Sequence, residues 1–284
     1  MESIVNIIYR LIPSLEQARK YPHSVSGLPT GFEELDRLSS GWQNGELIVI
    51  AAPTCMGKTA LALSMLNNAM CDAEFDAFWF STSLSSLQLT KLMLCNSLQV
   101  DMHMLLSGGI DADLLNGMKG EIKFSGVSFD DSPYLTIEDI DSKLSEGFNS
   151  FPAEMVVIDD INHLNYAEDN RLDFTDKFYR LKTLARKYEI PIIVLMEIEI
   201  PKNVFENYSD CLSAYYQQNT KISYIDMLIN LFRPEYFKIT EFEDGNSSLG
   251  YADLIISGSR VEKGMVRLKY DNRIFVSKFE NDGK

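Results

Sequence analysis

The sequence predicts an α/β domain: a mostly parallel central sheet, flanked by helices and closed at its C-terminal end by antiparallel strands. Three observations carry this. Short bounded apolar runs alternate with helix-forming stretches. The first such run leads straight into a loop bearing Gly57 and Lys58 and then into a helix. From Met227 onward, strand-like runs follow one another.

The 284 residues suffice for one large domain and are too few for two plus a linker. The expected division is a helical arm over residues 1–26 and one α/β domain over residues 27–284. Hydrophobic residues make up 45% and charged residues 24%, the mix of a globular chain with a sizeable core. Lys and Arg total 26 against 41 Asp and Glu, a net charge of −15 that repels phosphate backbones at long range. Nucleic-acid contact would need a local basic strip.

Cys55, Cys71, Cys95 and Cys211 form no CxxC pair, which argues against a zinc site or disulfide framework and suits a reducing cytoplasm. The first 17 residues carry no basic n-region or cleavage site, and no run approaches the roughly 18 apolar residues of a membrane span.

In chain order, the arm places Ile4, Val5, Ile7, Ile8, Leu11 and Ile12 at helical spacing, followed by Pro13 and a Ser14 to Gln17 capping box. Its apolar face requires cover, from this chain's own core or from a neighbouring subunit. Residues 27–46 read as turns. Residues 47–52 (LIVIAA) form a buried strand, residues 60–70 a helix and residues 76–81 (DAFWFS) a second strand, completing a βαβ unit.

A helix follows near residues 86–99, a short strand around Val127, a helix over about 137–147 and the strand 155–158. Next come a helix over about 174–188 and the strand 191–195. Strand-like runs at 227–232, 253–257, 265–270 and 274–277 then suggest a closing hairpin near Asp271 and Asn272.

The loop is Ala52, Pro53, Thr54, Cys55, Met56, Gly57, Lys58 and Thr59. In the GxxxxGK[ST] pattern, backbone N–H groups wrap phosphates, the lysine reaches the outer phosphates and the hydroxyl ligates Mg²⁺. Ala52 replaces the first glycine, which requires that this position need no positive φ. The strand before the loop and the helix after it are the context the motif demands. An acid at the end of a later apolar strand is the usual partner for the metal, and MVVIDD supplies Asp159, followed by Asp160.

These residues resemble the C-terminal motor domain of the DnaB-type replicative DNA helicases, a RecA-like P-loop NTPase. The most specific stretch is GLPTGFEELDRLSSGWQNGELIVIAAPTCMGKTALAL. Further matches are FDDSPYLTIEDI, LKTLARKYEIPIIVL, FRPEYF and ADLIISGSRVEKGMVRL. The likeness runs from about Gly27 to about Lys278. It implies ATP and Mg²⁺ as cofactors, a role in DNA replication, single-stranded DNA as a partner and assembly into a hexameric ring. The arm stands where the family's linker helix would dock on the adjacent subunit.

By this resemblance Lys58 and Thr59 are the phosphate and Mg²⁺ residues, and Asp159 is the Walker B aspartate. The catalytic glutamate position reads Ser83, which cannot serve as a comparable base near neutral pH. A family arginine corresponds to Leu92, and the sensor glutamine has become Glu197. The Lys-x-Arg pair that reaches a neighbour's nucleotide reads Gly258-Ser259-Arg260, leaving Arg260 as the candidate arginine finger. The DNA-binding loop, residues 202–221, holds no arginine and few lysines, so the implied grip on DNA is poor. Tyr208, Tyr215 and Tyr216 are either stacking platforms for bases or loop and core tyrosines.

Three functions remain open. The first is an ATP-binding domain with little hydrolysis. The second is an active DNA-dependent ATPase or helicase in which Asp160 or Glu197 replaces the lost base. The third is an acidic scaffold for a basic protein partner.

Overall fold

The structure, a computed structural model, describes residues 3–6, 8, 9, 12, 25–72, 75–98, 100–107, 109, 126–147, 153–164, 174–200, 205, 207–218, 223–259, 261, 263–270, 280 and 281. Within the arm, residues 4–6, 8, 9 and 12 are helical, and Ile4, Val5, Ile8 and Tyr9 are exposed. The capping box and the hairpin tip at Asp271 and Asn272 lie outside the described residues.

The stretch expected to be turns contains a helix, α1 (Glu33–Ser39). Glu33, Glu34 and Asp36 suit its N-terminal dipole, Phe32 and Leu35 bury against the core, and Ser40 in the left-handed region ends it. Turn composition on either side of so short a helix hid its apolar face.

Strand β1 (Leu47–Ala52) is buried along its whole length, as a parallel strand covered on both faces must be. Its side chains alternate between two cores. Ile48, Ile50 and Ala52 join Leu61, Leu63 and Leu66 of α2 (Lys58–Asp72) and Leu89 of α3 (Ser86–Leu98). Leu47, Val49 and Ala51 join Ile140 and Leu144 of α5 (Ile137–Gly147) and Phe178, Leu181 and Ala185 of α6 (Phe174–Tyr188). A short α4 (Met102–Ser107) follows α3.

The remaining strands are β2 (Ala77–Ser81), β3 (Val127–Asp130), β4 (Met155–Asp159), β5 (Ile192–Glu197), β6 (Met227–Phe232), β7 (Tyr251–Gly258), β8 (Gly264–Lys269) and β9 (Glu280–Asn281). Their order is β3-β2-β4-β5-β1-β6-β7-β8-β9. Pairing is parallel from β3 to β6 and antiparallel from β6 to β9, so the predicted fold class holds. The C-terminal ends of β1, β2, β4 and β5 therefore share one edge, where ligands of such sheets bind.

Helix α7 (Tyr208–Gln218) occupies part of the segment read as a DNA-binding loop. Tyr208 is buried, and its hydroxyl donates to Asp253 Oδ2 at 2.6 Å. That hydroxyl and ring belong to the core, which removes Tyr208 as a stacking platform. The side chains of Tyr215 and Tyr216 lie outside the described residues.

Candidate functional site

Two interior strands, β1 and β4, deliver the site at their C-terminal ends. Chain leaving β1 at Ala52 turns through the phosphate loop and re-enters helix at Lys58. Ala52 is still strand, and the left-handed φ values fall on Cys55 (62°) and Gly57 (108°). Ala52 thus meets its condition. A Cβ on Gly57 would meet only the Tyr270 hydroxyl, at 3.9 Å, so glycine there answers the backbone angle and not crowding. Cys55 takes the same region at a cost of about 1–2 kcal/mol.

Lys58 is buried, and its Nζ donates to the carbonyls of Ala52 (3.1 Å) and Pro53 (3.5 Å). Burial holds its pKa below the ordinary lysine value, against the pull of Asp160, Glu197, Asp159 and Cys55. Thr59 Oγ1 donates to Asp159 Oδ2 at 2.9 Å. Asp159 is 2% exposed, and burial pushes its carboxyl up to about 6, reinforced by Asp160 and opposed by the Thr59 hydrogen bond and Lys58. A buried carboxylate and a hydroxyl in contact at a helix N-terminus are the oxygen donor set a hard divalent cation takes. Mg²⁺ fits these residues.

Asp160 is buried beside them. Its Oδ1 accepts from Asn162 N at 2.7 Å and lies 3.4 Å from His163 Nδ1. Thr82 ties this turn to β2: its N–H donates to the Asp159 carbonyl at 2.7 Å, and its Oγ1 accepts from Asp160 N at 3.1 Å. Lys177 of α6 closes the other side, donating to the carbonyls of Ile161 and Leu164.

Asn162 then joins β4 to β5. Its Oδ1 accepts from Glu197 N at 2.9 Å and its Nδ2 donates to the Glu197 carbonyl at 3.2 Å. β5 runs two residues past its expected end, which puts Glu197 level with Ala52. From there the Glu197 carboxylate accepts a hydrogen bond from Thr54 Oγ1 inside the loop.

The structure therefore brings Lys58, Thr59, Asp159, Asp160 and Glu197 together. Ser83 is exposed just past the end of β2, whereas Leu92 lies in the core among α2 and α3. Arg260 lies outside the described residues.

Sequence reading missed four supports: Thr82, Asn162, Lys177 and Arg233. Arg233 Nη1 donates to the Met56 carbonyl at 3.4 Å, its guanidinium pairs with Glu235, and it stacks 3.7 Å over the Tyr270 ring. The FRPEYF motif flagged this arginine but gave no sign that it lies against the loop. Asn162, two residues after Asp160, carried the one local signal, that of a side-chain-capped turn.

The family described as DnaB-like helicase C-terminal domain matches residues 27–281. The replicative DNA helicase DnaB of Geobacillus stearothermophilus is 28% identical over 243 residues, covering 83% of this chain and 54% of that protein. This chain thus spans about half the length of that relative. Among solved structures, a DnaB-like replicative helicase, described with its interactions with primase, superimposes with a TM-score of 0.77 at 22% identity, covering 96% of this chain and 66% of that one. The RadB recombinase gives a TM-score of 0.52 at 18% identity, covering 90% of this chain and all of that one. The RecA-like expectation for the fold is met, and with the family matched across nearly its whole length, this chain belongs to the DnaB-like helicase C-terminal domain family.

Proposed function

We propose that this chain is a DnaB-like ATPase domain that binds ATP·Mg²⁺ and hydrolyses it slowly at best. The observation that carries the reading is the contact of Thr59 with buried Asp159 beside buried Lys58. When bound, Mg²⁺ would supply positive charge that offsets that of the phosphates. Lys58 binds the outer phosphates, the N–H groups of the loop and the first turn of α2 orient them, and Thr59 and Asp159 hold the metal.

Slow turnover follows from Ser83. Losing a general base costs about 10² to 10⁴ in rate. The test is binding and turnover on one preparation. Tight ATP·Mg²⁺ binding with background turnover supports the reading, and robust turnover stimulated by single-stranded DNA overturns it.

A second reading assigns water activation to Asp160 or Glu197, favoured by the pull both exert on Lys58. Asp160→Asn or Glu197→Gln would then lower turnover by about 10² or more.

For assembly, the exposed apolar arm favours a homo-oligomeric ring in which Arg260 reaches a neighbour's nucleotide. Mass measurement with and without ATP tests this, and a monomer in both conditions leaves Arg260 without a target. Single-stranded DNA and a basic protein partner remain as readings of the altered loop and the acidic surface. No helix among the described residues is long and apolar enough to cross a membrane.

A further inference from the structure

The phosphate loop carries an acid of its own chain across its rim. Glu197 leaves β5 level with Ala52, where the loop leaves β1, and Ile198 N donates to the Ala52 carbonyl at 3.1 Å. Asn162 grips the Glu197 backbone through both its N–H and its carbonyl. With the backbone pinned on two sides, the half-buried side chain crosses to Thr54 Oγ1.

The other nearby acids are already engaged. Asp159 accepts from Thr59, and Asp160 accepts from Asn162 N and faces His163. Glu197 alone of the three bonds to the loop segment between Ala52 and Gly57.

We propose that Glu197 is a specificity-determining residue that makes the loop accept nucleotide phosphates as a divalent-metal complex and reject them as free anions.

The reason is electrostatic. Incoming phosphates meet a fixed carboxylate that already holds Thr54 and lies within electrostatic range of Lys58. A free polyphosphate adds several negative charges next to it, in a partly dehydrated site where like charges repel strongly. A phosphate chain carrying a divalent cation brings less net charge and loses less on entry. Glutamine at this position would keep the acceptor for Thr54 and remove the repulsion.

This inference rests on the nucleotide-binding reading above and is tested apart from it. The full chain is titrated with ADP in excess Mg²⁺ and with ADP in EDTA, for the wild type, Glu197→Gln and Glu197→Asp. The readout is the ratio of the metal-free Kd to the Mg²⁺ Kd.

Glu197→Gln is expected to shrink that ratio by about tenfold or more, chiefly by tightening metal-free binding. Glu197→Asp keeps the charge and should retain the wild-type ratio to within about threefold. Equal ratios in wild type and Glu197→Gln overturn the proposal, as does an equal fall in both variants, which would mark a packing role. Absence of any Mg²⁺-ADP binding by the wild type removes the nucleotide reading itself, and this proposal with it.

Discussion

Gly258 lies so close to Asp226 that a Cβ built on it would stand 2.2 Å from the Asp226 carbonyl oxygen and 3.1 Å from Met227 Cα. Ser259 N donates to that same carbonyl at 3.0 Å, so the end of β7 is pressed onto the segment entering β6. The resemblance places a lysine here. Its loss is built into the backbone, because no side chain fits without moving one of the two segments. Gly258→Ala and Gly258→Lys should each destabilise the chain by about 1–3 kcal/mol, the usual cost of overpacking. A urea midpoint unchanged from wild type would show that the segments part freely.

Lys58→Ala should weaken ATP·Mg²⁺ binding by more than about a hundredfold, since a charge-assisted hydrogen bond contributes about 1.5–3 kcal/mol and its electrostatic attraction goes with it. Calorimetry on the purified variant measures this. Retained affinity would mean that phosphates bind somewhere other than this loop.

Asp159 sets a pH dependence of the nucleotide-free protein. Its carboxyl is raised from 3.8 to about 6 by burial, so the folded state holds the proton more tightly than the unfolded chain does. The corresponding stability is present below the unfolded pKa and is lost as pH rises through about 6. A shift of that size corresponds to a loss of about 3 kcal/mol. Asp159→Asn cannot ionise, so its stability advantage over wild type should grow between pH 5 and pH 7.5 in urea titrations. The same variant should lose Mg²⁺-dependent nucleotide binding, a trade of stability for function. A pH-independent difference between the two proteins would refute the assignment.

The cluster of Tyr208, Asp253 and Arg267 anchors α7 to the antiparallel strands. Asp253 is fully buried and accepts from Arg267 Nε at 2.7 Å and from the Tyr208 hydroxyl, while Arg267 also stacks 3.6 Å over Phe242. Removing the carboxylate strands a partly buried guanidinium, so Asp253→Ala should cost about 3–5 kcal/mol. Tyr208→Phe loses the hydroxyl's bond to Asp253 and the one it accepts from Arg267 Nη2 at 3.3 Å, and should cost about 1–3 kcal/mol. Denaturant unfolding of both variants checks the order, and a Tyr208→Phe cost equal to that of Asp253→Ala would place the energy in the tyrosine.

Much of the site was legible locally. Lys58, Thr59 and Asp159 each follow an apolar strand in sequence, and strand ends in a parallel sheet converge on one edge whatever the details of packing. α1 was not legible, because seven residues between turn signals offer little periodicity. Nor was α7, since its apolar contacts are with β6 and β7 and not within its own sequence neighbourhood.

The sequence by itself determined most of the alternation of strands and helices, the glycine and hydroxyl placement of the loop, and the presence of Ser83 where the resemblance places a glutamate. All are properties of short segments, governed by side-chain periodicity, glycine placement and residue chemistry. Only the tertiary structure decided that Glu197 reaches Thr54, that Arg233 lies against Met56 and that Gly258 is wedged on Asp226. Those contacts join residues about 30 to 180 positions apart in the chain, and their geometry depends on strand order and register, which residue-by-residue patterns do not encode.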